Sequence, residues 1–218
     1  MQVRATFHRE INELLDQVLI LGSMVEDAVM VSVAHLKKRD LKGSRRIIER
    51  DQQINEKRFE IEAYALGLIA LHQPVAGDLR ILGAVLEIVT ELERIGDYAK
   101  GISKINLLIG DEPLIKPLID IPLMAETAMD MLRQGLDAFI ARDVEAARTI
   151  PDRDREVDDL YNQVNRELLT YILSEPACFQ QANYLLWAAH NLERAADRVT
   201  NICERTIFMV TGKMEELN

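Results

Sequence analysis

The sequence contains few of the residues that interrupt helices and few of the large side chains that favour strands. Its 218 residues include only 10 glycines and 6 prolines, and aromatic residues make up 5% of the chain. This composition argues against a β-rich fold and is typical of helical proteins. Apolar residues account for 48% of the chain, which is enough to bury a sizeable core.

The sequence also lacks the motifs of several enzyme classes. It has no glycine-rich phosphate-binding loop, no Gly-x-Ser-x-Gly and no His-Glu-x-x-His. The only cysteines, Cys178 and Cys203, do not form a Cys-x-x-Cys pair, and we expect both to be buried thiols. With no secretory leader at the N-terminus, we expect a protein of the reducing cytoplasm.

Basic charge is scarce as well. The chain has 36 acidic and 26 basic residues, and its formal net charge of −10 argues against nucleic acid as a partner. One basic stretch, residues 37–46, fits either a solvated helix end or a docking patch for a partner. No uncharged apolar run approaches the roughly 18–20 residues that cross a bilayer, so we expect no direct membrane insertion.

What the sequence does contain is an internal repeat. Residues 92–97 read Leu-Glu-Arg-Ile-Gly-Asp, and residues 192–197 read Leu-Glu-Arg-Ala-Ala-Asp. Arg39-Asp40 recurs as Arg142-Asp143, at a spacing of 103 residues instead of 100. A change of spacing confined to one turn is what a true duplication should show.

Hydrophobic periodicity predicts six helical segments, three in each copy of the repeat. The proline-rich residues 110–122 separate the copies and predict domains at residues 1–112 and 113–218. We therefore predict an all-α fold of two tandem antiparallel three-helix bundles related by internal duplication. The six segments cover residues 7–38, a stretch ending near residue 71, then 75–109, 123–142, 144–174 and 177–214.

Each copy carries two carboxylates four residues apart, Glu93 with Asp97 and Glu193 with Asp197. On a helix such residues stand about 40° apart, so each pair points in one direction. Like charges at this spacing weaken a helix by ~0.2–0.5 kcal/mol, so folding alone gives no reason to repeat them. Because divalent cations prefer carboxylate ligands, the pattern predicts metal sites.

A second set of oxygen-bearing side chains lies in the middle helix of each copy, with Asp51 and Asn55 in the first and Asp154 and Asp158 in the second. If these side chains face the carboxylate pairs, four oxygen-bearing groups converge in each copy. His190 lies one turn before the second carboxylate pair and is either a nitrogen ligand or an ordinary half-exposed histidine.

The alternative is that the acids lie on solvated helix faces. Arg94 and Arg194 each precede the aspartate of their motif by three residues, a spacing at which surface ion pairs form. Such pairs contribute little to stability, and they would leave the acids with no role in binding. Both interpretations are open from the residues alone.

Four segments resemble the PhoU family of phosphate-transport accessory regulators. Two are the motifs Glu93–Asp97 and Glu193–Asp197; the third is Gln73–Arg80, which reads Gln-Pro-Val-Ala-Gly-Asp-Leu-Arg; and the fourth is Asp51-x-x-Ile54. The resemblance covers residues 7–212, nearly the whole chain. The sequence departs from the family pattern at Gly101, where asparagine is usual.

The resemblance implies a cytoplasmic protein, often a homodimer, that negatively regulates phosphate uptake and the phosphate-starvation (Pho regulon) response. It implies contact with the ATPase subunit of the phosphate transporter and with a membrane sensor histidine kinase. It further implies that Glu93, Asp97, Glu193 and Asp197 hold iron, zinc or another divalent metal, and that no catalysis occurs.

The turn before the third helix is the best candidate for a partner contact, with Asp78 and Arg80 exposed at the helix start. Two other functions fit the residues less well. One is a metal-dependent hydrolase that uses the paired carboxylates and would need a pocket with a general base. The other is a plain scaffold bundle in which the four acids have no role.

Overall fold

All secondary structure in the described part of the chain is helical. The computed structural model describes residues 2–217, with side chains from residue 5 onward. Two short 3-10 turns, Ile150–Arg153 and Pro176–Cys178, accompany seven α-helices. The helices are α1 (Gln2–Lys38), α2 (Leu41–His72), α3 (Gly77–Ile109), α4 (Asp120–Ala141), α5 (Val144–Thr149), α6 (Asp154–Ser174) and α7 (Phe179–Thr211).

The helices form two successive antiparallel trios. Helices α1, α2 and α3 pack on one another, and α4, α6 and α7 do the same, with the short α5 against α4 and α7. The predicted all-α fold of two three-helix bundles is therefore confirmed.

The central helices of the two trios carry the core. On α3 the side chains of Ile88, Leu92 and Ile95 are fully buried, as are those of Leu192 and Val199 on α7. A 3.5-residue apolar spacing produces such seams in packed helices. Helix α3 packs extensively on α7, and α1 packs on α4, so the buried side chains of both trios form one continuous cluster. The division into separate domains at residue 112 stays a prediction.

The repeat preserves a whole turn. Arg39 and Arg142 both adopt left-handed backbone, with φ values of 62° and 57°, and each ends a helix. The next residue caps the following helix in both copies: Asp40 Oδ1 accepts from the Gly43 N–H at 2.8 Å, and Asp143 Oδ1 accepts from the Ala146 N–H at 3.0 Å. A carboxylate at this position satisfies an N–H that has no partner within the helix.

Prolines explain where the predicted helix limits fail. The fifth predicted segment is interrupted at Ile150–Arg153, because Pro151 has no N–H and its ring opposes a continuous α-helix. Conversely, Pro122 was predicted to lie in the junction, yet α4 already begins at Asp120. Proline is tolerated in the first turn of a helix, where its missing N–H would have no partner.

Helix α1 is long and apolar enough, by length and composition alone, to cross a membrane over Ala5–Lys38. Its apolar stripe is buried in the core of this protein, with Leu14, Val18, Leu21 and Val25 completely covered. The stretch therefore serves as a core helix in the fold.

Candidate functional site

The structure brings the acidic residues of each trio together between two helices. In the first trio, Asp51 and Asn55 of α2 meet Glu93 and Asp97 of α3, and we call these four residues the first acidic cluster. Asp51 is nearly buried, with 6% of its surface exposed, and its Oδ2 lies 3.4 Å from Asn55 Nδ2. Three carboxylates of this trio, those of Asp51, Glu93 and Asp97, therefore come together, while Asn55 directs its amide nitrogen to Asp51.

Lys100 supplies a positive charge to the first acidic cluster. Its Nζ donates to Asp51 Oδ2 at 2.6 Å and lies 3.6 Å from Asp97 Oδ1. This hydrogen bond to Asp51 raises the pKa of Lys100 and so favours the ammonium form. Burial, followed by the charge of Asp97, raises the pKa of Glu93, while the charge of Arg58 opposes the rise.

In the second trio, Asp154 and Asp158 of α6 meet Glu193 and Asp197 of α7; we call these the second acidic cluster. Burial raises the pKa of Asp154 to about 6, and the charges of Asp158, Asp197 and Glu193 contribute in that order. Burial and then Asp197 also raise the pKa values of Asp158 and Glu193. These four carboxylates therefore repel one another.

No lysine or arginine nitrogen of the described residues lies within 4.0 Å of these four carboxylates. Asp154 Oδ1 and Glu193 Oε2 are buried without a hydrogen-bond partner. His190 Nδ1 lies 3.0 Å from Glu193 Oε2, which is an ion-pair distance without hydrogen-bond alignment. Its imidazole is half exposed and stands beside the ring of Tyr161, with 6.0 Å between the ring centroids.

A groove runs beside the second acidic cluster. It encloses about 630 Å³, and its lining includes the acids Asp154, Asp158 and Asp197 together with the arginines Arg148, Arg155 and Arg198. The groove gives small ions and water access to the carboxylates on the α6–α7 face.

The two clusters differ in how well they fit a divalent metal. The second cluster offers four carboxylates, in which Asp154 Oδ1 is buried without a partner and Glu193 Oε2 has only the His190 imidazole beside it; this donor set suits a hard or borderline cation. Within residues 5–217 no three His, Cys, Asp or Glu side chains form a ready ligand group, so water or side-chain rotation would complete the shell. The first cluster does not fit, because the Lys100 ammonium contacts Asp51 and Asp97. The metal role of these residues stays a prediction.

The expectation that Asp78 and Arg80 are exposed is wrong. Both are half-buried in the first turn of α3. Arg80 Nε donates to the Met209 carbonyl oxygen at 3.1 Å, and its guanidinium packs on the turn at Gly212. Arg80 thereby joins the start of α3 to the end of α7 and satisfies a carbonyl in the last turn of that helix.

Lys100 is a partner of the first acidic cluster that the acidic motifs, their arginines and His190 do not indicate. A signal was present in the repeat: Lys100 and Thr200 occupy equivalent positions, three residues after Asp97 and Asp197. A lysine that is present in one copy only indicates that the duplicated acidic pairs differ in whether a positive side chain lies beside them.

Comparisons with known proteins agree with this architecture. The family model described as PhoU domain matches the chain twice, over residues 18–105 and 121–206. A phosphate-specific transport system accessory protein PhoU homolog of Aquifex aeolicus is 34% identical over 206 residues, covering 94% of this chain and 93% of the relative. The homolog of Clostridium acetobutylicum is 35% identical over 216 residues and covers 99% of both chains.

Solved structures give the same result. The crystal structure of the phosphate transport system regulatory protein PhoU from Streptococcus pneumoniae has a TM-score of 0.89 at 28% identity, covering 97% of this chain and 100% of that one. The crystal structure of PhoU from Pseudomonas aeruginosa has a TM-score of 0.88 at 29% identity, with 95% and 100% covered. On the agreement of the family model, the relatives and the fold, this chain belongs to the PhoU family.

Proposed function

We propose that this protein is a non-enzymatic accessory regulator of phosphate transport. It restrains phosphate uptake and the Pho regulon response by contact with the phosphate ABC transporter and with its sensor histidine kinase. The observation that carries this proposal is the match of both trios, over nearly full length, to proteins named as accessory to phosphate-specific transport.

The partners place the protein in the cytoplasm. The ATPase subunit of the transporter uses cytoplasmic ATP, so a regulator that contacts it works on that side of the membrane. The net charge of −10 agrees with docking on proteins instead of nucleic acid. We propose a homodimer as the working form.

The second acidic cluster holds a divalent metal, iron or zinc being the first candidates, through Asp154, Asp158, Glu193 and Asp197, with His190 at its edge. The unpartnered buried oxygen of Asp154 supports this assignment, as does the absence of a lysine or arginine nitrogen within 4.0 Å of the four carboxylates among the described residues. A divalent ion held by these residues would supply positive charge that offsets the repulsion between the carboxylates of α6 and α7. In this role it is a structural element and not a catalyst.

One observation favours a second candidate, a metal-dependent hydrolase. The groove of about 630 Å³ is lined by Asp154, whose carboxylate is the candidate general base. If this candidate is correct, purified metal-loaded protein hydrolyses phosphate esters and Asp154→Asn abolishes the activity. Absence of turnover with a panel of phosphomonoesters leaves the regulator as the sole function.

The experiment that tests the regulator is a capture from cell membranes with the full chain, performed before and during phosphate starvation. We expect the transporter ATPase subunit and the sensor kinase to be recovered, and a deletion strain to express starvation genes in phosphate-rich medium. A variant with Asn or Gln at the four carboxylates of the second cluster separates regulator from scaffold, since a plain scaffold keeps full gene control. Recovery of neither partner, together with normal gene control in the deletion strain, overturns the proposal.

A further inference from the structure

The two acidic clusters differ most sharply at one pair of equivalent positions. Lys100 in the first trio corresponds to Thr200 in the second. A similar exchange occurs on the middle helices, where Arg58 of α2 corresponds to Tyr161 of α6. Both exchanges remove a positive charge from the second trio. Two exchanges run the opposite way, from Gln52 to Arg155 and from Tyr98 to Arg198, but neither arginine lies within 4.0 Å of the four carboxylates.

We propose that the Lys100 ammonium is the built-in cation of the first acidic cluster and keeps divalent metal out of it. The inference rests on the proposed metal role of the acidic motifs and concerns which copy of the motif can exercise it. The first trio thus holds a fixed positive charge at the position where the second trio has the neutral Thr200.

Geometry supports the role of Lys100. The Asp51 carboxylate is almost completely withdrawn from water, and Lys100 Nζ binds it at 2.6 Å while also lying 3.6 Å from Asp97 Oδ1. A buried carboxylate needs a partner because burial penalises the unpaired charge. Lys100 meets this need from the next helix, and its own side chain is 28% exposed.

A divalent metal and the Lys100 ammonium would compete for the same position beside Asp51 and Asp97. A divalent ion bound through Asp51 and Asp97 would stand within a few ångströms of the ammonium, and like charges so close repel strongly in a partly buried site. In addition, Asn55 supplies an amide where the second cluster has the Asp158 carboxylate. The first cluster therefore offers three carboxylates and one cation, against four carboxylates with no lysine or arginine within 4.0 Å in the described second cluster.

Manganese(II) binding to the full-length chain tests the inference, because free Mn²⁺ can be counted by its electron paramagnetic resonance signal without any activity assay. The key variant is Lys100→Thr, which places the residue of the second copy in the first. We expect a new site whose affinity is at least about tenfold above any Mn²⁺ binding at the first cluster of the parent chain. The site should persist when Asp154→Asn and Asp197→Asn are added.

Lys104→Thr is the matched control. Lys104 lies one turn further along α3, is exposed, and its removal changes the net charge by the same amount. It should leave Mn²⁺ binding unaltered. If Lys104→Thr and Lys100→Thr raise Mn²⁺ binding equally, the effect is general electrostatics and the inference is overturned.

The reciprocal variant Thr200→Lys tests the same inference independently, in case Lys100→Thr does not fold. Thr200 is half exposed and beside the groove, so a lysine there can be accommodated. We expect it to lower Mn²⁺ affinity at the second cluster by at least about tenfold. Circular dichroism and thermal unfolding establish that each variant is folded.

The outcomes separate this inference from the proposed function. Two equal Mn²⁺ sites in the parent chain, unchanged by Lys100→Thr, overturn the exclusion by Lys100 and leave the metal role intact. No Mn²⁺ binding by the parent chain overturns the metal role at the second cluster, and a site that then appears only in Lys100→Thr still supports the exclusion.

Discussion

Arg39 Nη1 donates to Asn106 Oδ1 at 2.9 Å and thereby joins the turn between α1 and α2 to helix α3. The Asn106 amide is fully buried and continues the network from its nitrogen. Its two N–H groups are shared among three acceptors, the His35 carbonyl oxygen at 3.2 Å, the Asp40 carbonyl oxygen at 3.3 Å and Ser44 Oγ at 2.8 Å. One side chain thus satisfies several polar groups of a buried turn.

Asn106→Ala should therefore destabilise the protein. The change leaves the Arg39 guanidinium short of an acceptor and the buried turn short of a donor, which we expect to cost about 2–3 kcal/mol of unfolding free energy. Chemical denaturation followed by circular dichroism measures this value.

The repeat provides the control for Asn106. Thr206 is its equivalent, is also fully buried, and donates only to the Ile202 carbonyl oxygen of its own helix, at 3.0 Å. Thr206→Val keeps the shape and should cost less than about 1 kcal/mol. Equal losses in the two variants would show that burial, and not the network at the turn, determines the effect.

The ion pair between Asp130 and Arg153 should make stability depend on acid. The hydrogen bond from Arg153 lowers the pKa of Asp130 below its usual value, and this effect outweighs partial burial, which raises the pKa. Because the folded-state pKa is depressed, the contribution is present above the unfolded value of about 3.9 and is lost as the pH falls through the folded pKa. Asp130→Asn should lower the unfolding free energy at pH 7 by less than about 1 kcal/mol, since the pair is partly exposed.

Measurements of unfolding free energy between pH 7 and pH 2.5 check this prediction. The difference between the parent chain and Asp130→Asn should disappear at the acid end of the series. Asp137→Asn is the control, because Asp137 is exposed on the same helix and no lysine or arginine of the described residues pairs with it. A difference that grows toward acid contradicts the assignment.

The two cysteines should react at very different rates. Cys203 is fully buried, and burial raises the pKa of its thiol to about 12, so almost no thiolate is available at pH 8. Cys178 is only half-buried, contrary to the expectation from the sequence, because it lies in the 3-10 turn before α7. A thiol reagent should label one cysteine rapidly in the native protein and both in denaturant. Cys178→Ser should abolish the rapid phase.

Gly101 accommodates Asn191 where α3 crosses α7. A Cβ at position 101 would lie 2.9 Å from Asn191 Nδ2, whereas a Cβ at Gly83 on the same helix would meet nothing within 4 Å. Gly83→Ala should stabilise the protein by about 0.5–1 kcal/mol through helix propensity. Gly101→Ala should gain less or lose stability, and adding Asn191→Ala should restore the gain. Thermal unfolding of the parent chain, the two single variants and the double variant tests this coupling between positions 101 and 191. Equal gains at positions 83 and 101 would exclude it.

The sequence was sufficient to predict the helical segments and the repeat, because both depend on local patterns. It gave the meeting of the acids on α2 and α3 only as a condition, because that meeting depends on how the two helices pack. The repeated Arg-Asp pair at residues 39–40 and 142–143 likewise corresponds to the same turn in both copies, because helix capping depends on a few adjacent residues.

Other features depend on contacts between distant segments. The sequence predicts an exposed Arg80, but the Met209 carbonyl oxygen that accepts its hydrogen bond lies 129 residues away in sequence. The packing of α3 on α7 was also not predicted, because a helix that carries a single apolar seam does not reveal how many neighbours it has. The reach of Lys100 from α3 to Asp51 on α2 depends on helix rotation, which only the packed structure fixes.

The packing of α3 on α7 holds the two trios together independently of the segment that connects them. Gln181 of α7 also holds the connecting segment, accepting from the Ile115 N–H at 2.6 Å and donating to the Pro113 carbonyl oxygen at 3.0 Å. A chain cleaved between α3 and α4 should therefore remain a tight noncovalent pair of fragments. Either fragment alone would expose a large apolar surface to water. We therefore expect the whole protein to unfold in a single cooperative transition.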